Sequence, residues 1–281
     1  MAVRLAALGR GMRGAMRLGW EVETNWTHPV AYALFLLLRP VGGALILVVI
    51  YRVVVGGPLD TQAVEFLVVG AAMWAFVLNG LQRVTLTVVQ EREWFRVLKY
   101  VVLTPLPFPA YMLARSAVWL LTGSVAALVV LAIGAALLGL DIRPGAVDWA
   151  SLVPAMMLGL TALLATALGL AGITMALARH PIGIGEAVQG TLYLVSGAVF
   201  PPALLPGWAE PISRVLPFTY WLEAVRRALL PSYDPSMMGI GEPFVPLLVT
   251  TLGTVVLGAA TFWYFDRRAR ALGAYDRTTE Y

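Results

Sequence analysis

The stretch QEREWFRVLKYVVLTPLPFPAYMLARS, residues 90–116, gathers ionisable and aromatic side chains between two long apolar runs. Written on a helix, Glu91, Arg92, Glu93, Arg96 and Lys99 cover one side, and Phe95, Leu98 and Val102 cover the other. Mixed charge at this spacing suits docking: charge pairs set register, and Trp94, Phe95 and Tyr100 serve as anchors on a partner surface. It does not suit catalysis, because no nucleophile, acid–base pair or metal set converges within the chain, and no catalytic residue is assigned. The sequence contains no cysteine, which excludes thiol chemistry and cysteine-ligated metals. Only two histidines occur, His28 and His180, without a carboxylate pattern around them, so no metal site is expected. No G-x-x-x-x-G-K-[ST] phosphate loop is present, so ATP chemistry would have to reside on another polypeptide.

The elements that must carry this segment are membrane spans. Of the 281 residues, 59% are hydrophobic and 13% charged, against roughly 25% charged in an average soluble domain. Runs of about 20 apolar residues are long enough to cross a hydrocarbon core of roughly 30 Å as helices. The expected fold class is all-α integral membrane, with six transmembrane helices at 30–55, 64–85, 110–140, 149–178, 182–200 and 243–265. An amphipathic amino-terminal helix, 1–27, precedes them, with Leu5, Leu8, Met12 and Met16 at helical spacing and Arg10, Arg13, Arg17 and Glu21 opposite. Such a helix lies in the membrane interface, as a topology anchor or as a lever toward a cytoplasmic partner. Arginines crowd before the first span, between the second and third, and after the sixth, which places both termini in the cytoplasm. This bias accounts for the net charge of +4, and no nucleic acid partner is implied.

The stretch FPPALLPGWAEPISRVLPFTYW, 200–221, breaks the fifth span, since Pro201 and Pro202 cannot continue a helix. Two short helices separated by Pro217 and dipping back from the outer surface are expected in 201–230, with Trp208, Tyr220 and Trp221 at the outer interface. A proline-rich outer loop with one helix on the surface is the alternative. Arg39, inside the first span, would cost roughly 2.5–3.5 kcal/mol at mid-depth. It either faces a pathway, where it would attract an anionic group, or snorkels to the headgroups. Asn79, Gln82, Gln189 and Ser196 are candidate polar lining or interhelical hydrogen-bonding groups. The small residues around Gly159, Gly169 and Gly172 suit close helix packing.

The order of these features, with EREWFRVLKYVVLTP after the second span and SGAVFPP followed by LPFTYWLEAVRRALL before the last, resembles the type-2 permeases of ATP-binding-cassette (ABC) exporters over essentially the whole chain. The resemblance implies that residues 90–104 form the cytoplasmic coupling helix, with Glu91, Arg92, Trp94, Phe95, Arg96 and Lys99 meeting a nucleotide-binding subunit. It implies an outer re-entrant hairpin at 201–230, where Pro201, Pro202, Trp208, Pro217, Tyr220 and Trp221 would form a gate. It also implies the partners: two copies of a separately encoded ABC ATPase carrying ATP and Mg, and a second permease chain, identical or related. Location would be the cell inner or plasma membrane. A charge-poor lumen favours amphipathic drugs or lipids as cargo. A lipid-linked polysaccharide or teichoic-acid-like glycan is the alternative, with Trp74, Tyr193 and Trp221 stacking on sugars. An ion-coupled carrier is the second alternative, and Glu186 is its only acidic candidate.

Overall fold

One helix, buried on all sides, organises the chain. In the computed structural model, which describes residues 2–25, 28–55, 60–177, 183–273 and 275, helix α3 (Thr61–Val89) packs against α2 (Pro29–Val55), α5 (Phe108–Leu138), α6 (Trp149–Ala176), α7 (Ile184–Val195) and α9 (Pro217–Leu229). From Phe66 to Leu78 its sequence is apolar around the whole circumference, as a helix needs when it has neighbours on every side. Asp60 caps its start by accepting from the Gln62 amide. Beyond Val89 the helix widens into a π-helical turn, Gln90–Trp94, and the short helix α4 (Leu98–Leu103) follows. Among the described residues the secondary structure is entirely helical.

Four segments are long and apolar enough to cross a membrane: Thr61–Trp94, Phe108–Leu138, Trp149–Ala176 and Phe244–Ala271. The last of these is helix α10, which runs past the expected end at 265 into its basic terminus. The expected first span coincides with α2, which carries Arg52; Arg39 lies on the same helix, but its side chain is outside the described residues. In the expected fifth span, 182–200, residue 182 is outside the described residues and α7 is helical for only 12 residues, a rise of about 18 Å.

Packing between α6 and α10 depends on small residues. A β-carbon on Gly258 would come within 2.3 Å of the Ala165 carbonyl oxygen, and one on Gly172 within 2.8 Å of the Phe262 α-carbon. Backbones therefore touch, and dispersion over that contact holds the pair together in lipid. Asp148 caps α6 through bonds to Ser151 and Ala150, which hold its carboxyl below the usual carboxylate range.

Helix α1 (Ala2–Thr24) lies against α5 by a different face from the one its methionines suggest. Ala15 is buried, Gly11 sits against Leu106, and Gly19 against Arg115 and Val118. Met12, Met16 and Trp20 are exposed. A ridge of small residues lets α1 approach α5 closely, and this outweighs the larger apolar side chains.

Candidate functional site

The charged stretch at the end of α3 divides into a buried half and an exposed half. Glu91, Arg92 and Glu93 occupy the π-turn and are buried, Glu91 to within 1%. Glu91 Oε1 accepts from the Tyr111 hydroxyl at 2.6 Å and from Arg115 Nε at 3.1 Å, which ties the turn to α5. Arg92 bonds Glu93 at 2.7 Å and extends across to α6, donating to the carbonyls of Met175 at 3.1 Å and Leu177 at 3.2 Å. These are carbonyls that the end of α6 leaves without an intrahelical partner, so Arg92 serves as a side-chain cap. The sequence expectation placed Glu91 and Arg92 on a surface. They are instead consumed inside the chain, because the wider π-turn rotates them inward against α5 and α6.

The exposed half points the other way. Trp94 and Phe95 are 52% and 49% exposed, and Arg96, Lys99 and Tyr100 are exposed beside them. Arg96 has φ of 54°, a left-handed conformation that costs a residue with a β-carbon roughly 1–2 kcal/mol. The Phe95 amide reaches back to the Gln90 carbonyl and the Val97 amide to Glu91, both at 2.8 Å, and these bonds hold the reversal. Strain kept in place by a surrounding network is characteristic of a working segment, as are π-turns.

On the same side, Arg83 of α3 pairs with Glu23 of α1, and Gln82 bonds Glu186 of α7. Gln82 is therefore an interhelical link between α3 and α7. Asn79 donates back to the Ala75 carbonyl of its own helix at 2.7 Å. Gln189 is half-buried on α7, and Ser196 is fully buried with its hydroxyl unpartnered.

At the far end of α3 lies a second buried polar cluster. Arg226 of α9, fully buried, donates to the carbonyls of Gly197 at 2.9 Å and Phe66 at 3.2 Å, with its guanidinium 3.6 Å from the Phe66 ring centre. Glu223 accepts from Arg227 at 2.7 Å and from the Tyr233 hydroxyl at 2.8 Å. Glu65 accepts from Ser232. Gly197 sits at φ 79° where α7 ends, and Pro202 begins a single 3₁₀ turn to Leu204 after Pro201. Helix α8 (Glu210–Val215) ends at an extended Leu216, and Pro217 opens α9. Trp208 is exposed, and the Tyr220 hydroxyl donates to the Arg214 carbonyl at 2.7 Å. Trp221 is not at an interface: it is fully buried over Gly159, where the absence of a side chain on α6 makes room for the indole.

A family model for the ABC-2 type transporter matches residues 19–230. The chain belongs to that family. Among curated proteins it finds no match. The matched region reaches from the end of α1 to the end of α9, and so includes the first polar cluster of this permease and all of the second except Ser232 and Tyr233. It is an all-α membrane protein with the composition and helices of a transport subunit, in a family that typically works with an ABC ATPase.

Sequence spacing does not single out Glu65, Tyr111, Arg115 or Arg226 as polar cores of the permease. Arg115 lies 24 residues from Glu91, beyond three prolines, and nothing local links them. Glu223 and Arg227 did leave a signal, a carboxylate four residues before a guanidinium on one helix.

Proposed function

We propose that this permease is the membrane-spanning subunit of an ABC exporter, working as a pair of chains on two copies of a separate ATPase. The observation that carries the proposal is the exposed Trp94–Arg96 tip mounted on a buried ionic knot. A partner closing around ATP and Mg pushes the tip. The Glu91–Tyr111–Arg115 and Arg92 contacts pass that push to α3, α5 and α6. Rigid, desolvated contacts suit this task, because a loosely solvated tip would absorb the displacement.

Six spans, cytoplasmic termini, a plasma-membrane location and an outer re-entrant hairpin at 201–230 complete the proposed arrangement. Cargo is proposed to be amphipathic drugs or lipids, since the polar candidates Asn79, Gln82, Gln189 and Ser196 carry no charge. The glycan alternative draws less support, because Trp74 and Trp221 are buried against other rings and offer no face to a sugar. The carrier alternative rests on Glu186, whose carboxylate is held by Gln82.

The test is co-purification with a candidate ABC ATPase and ATP turnover in lipid, comparing the wild type with Trp94→Ala plus Phe95→Ala. Loss of association, or a fall in permease-dependent turnover of about tenfold with unchanged thermal stability, is expected. This follows from hot-spot energetics, in which one buried aromatic anchor contributes about 2 kcal/mol or more. Association and turnover equal to wild type would remove the tip from the interface.

A further inference from the structure

Past the end of α10 the chain turns back onto the segment that roots the exposed tip. Helix α10 is capped at Leu272, and Gly273, at φ 63°, reverses the backbone in the left-handed region that glycine enters without steric cost. Tyr275 is thereby returned, half-buried, to the side of α10. Its hydroxyl donates to Asp266 Oδ1, and Arg270 bonds the same carboxylate at 2.9 Å with its guanidinium 5.3 Å from the Tyr275 ring centre, within cation–π reach. The ring meets Phe108 edge-on, at 6.4 Å and 90°.

Phe108 is buried and opens α5 directly after Pro105 and Pro107. Pro107 offers no side-chain cap, so the first turn of α5 is held by what packs around Phe108. That ring stacks on Phe262 of α10 at 6.0 Å and on Tyr111 at 6.1 Å. All three contacts fall in the range where aromatic pairs attract, roughly 4.5–7 Å between centres. Tyr111 in turn holds Glu91, and the Glu91 carbonyl accepts from the Val97 amide across the reversal at Arg96. An unbroken set of contacts therefore runs from Tyr275 to the tip.

We propose that Tyr275 is a positioning residue for the tip: with Asp266 and Arg270 it clamps the start of α5 and so fixes Tyr111 against Glu91. Asp266 and Arg270 lie four residues apart on α10, so the helix itself presets the carboxylate that receives the hydroxyl. Phe262, Asp266, Arg270 and Tyr275 all lie beyond residue 230, where the family match ends. The value of the clamp for coupling rests on the exporter reading; its geometry does not.

The test is amide hydrogen exchange on the purified full chain in detergent, without an ATPase, read over 94–111 and, as reference, over 149–165 of α6. Tyr275→Ala removes ring and hydroxyl. Gly273→Val keeps both but disfavours the turn, because a β-branched residue fits a positive φ poorly. Each should speed exchange over 94–111 at least threefold and leave the reference unchanged. Tyr275→Phe, which keeps the ring on Phe108, should fall between alanine and wild type. Tyr264→Ala, at an exposed tyrosine of the same helix, should match the wild type. The proposal is overturned by wild-type exchange over 94–111 in Tyr275→Ala, or in Gly273→Val should the alanine variant not stay monodisperse. Equal acceleration of the reference, or the same acceleration in Tyr264→Ala, overturns it too, since either would mean general loosening. With a partner ATPase, Tyr275→Ala should also lower permease-dependent turnover about threefold. Faster exchange with wild-type turnover would uphold the clamp and count instead against the exporter reading of the tip.

Discussion

Arg115 and Glu91 are buried together, and their value to the fold depends on both being present. Attraction in a dry interior offsets two desolvation costs, but removing one partner leaves the other charged and unpaired, at about 3–5 kcal/mol. Arg115→Met should therefore lower the thermal midpoint of the purified permease sharply, while Arg115→Met combined with Glu91→Leu should recover much of the loss. Thermal unfolding of the three proteins checks this, and a double variant no better than the single one would show that the pair is not the source of the stability. At this scale the sequence was least informative. Its charges at 91–99 were visible as a group, but the division into buried Glu91 and Arg92 and exposed Trp94 and Phe95 comes from the π-turn. One extra residue in a helical turn rotates every following side chain by about 100°, and no propensity reports it.

Between elements, glycine positions decide which helices come into backbone contact. Gly258 faces the Ala165 carbonyl, whereas Gly253 on the same helix faces open space. Gly258→Ala must push α10 from α6 and should destabilise by about 1–3 kcal/mol, the usual cost of overpacking. Gly253→Ala should be neutral or stabilising by up to about 1 kcal/mol, since alanine is the better helix former. Comparing their unfolding midpoints separates packing from propensity; equal midpoints would show that α10 shifts freely. Here the sequence said more: the small residues around Gly159 to Gly172 predicted close packing, and the structure supplies the partners, Trp221, Gly258 and Phe262. What periodicity alone could not give was the face used by α1. The methionine stripe is the larger apolar surface, but Gly11, Ala15 and Gly19 allow the closer approach.

Across the whole molecule, α3 joins two polar clusters that face opposite ends of the fold. One holds the tip to α5 and α6; the other, through Arg226, holds the chain after α7 to α3 and α9. On the proposed coupling, a push at the first would be carried toward the second along α3, which is buried along its length. On the proposed mechanism the candidate hinge is the bend between α7 and the helices that follow it, where Gly197 takes a positive φ just after α7 ends at Val195 and Pro201 and Pro202 come next. Composition and proline placement mark that bend, whereas the clasp beside it is visible only in the fold, because a buried arginine bonded to backbone carbonyls has no sequence signature. If the bend lets the outer helices move as a unit with α3 while α7 lags, making it continuous should stop transport without disturbing assembly. Pro201→Ala with Pro202→Ala restores two amide donors and permits helix extension, so export in reconstituted vesicles should fall severalfold while co-purification with the ATPase is kept. Slower amide hydrogen exchange across 196–205 in the variant would show that the extension formed; unchanged export in that rigidified protein would place the moving part of the permease elsewhere.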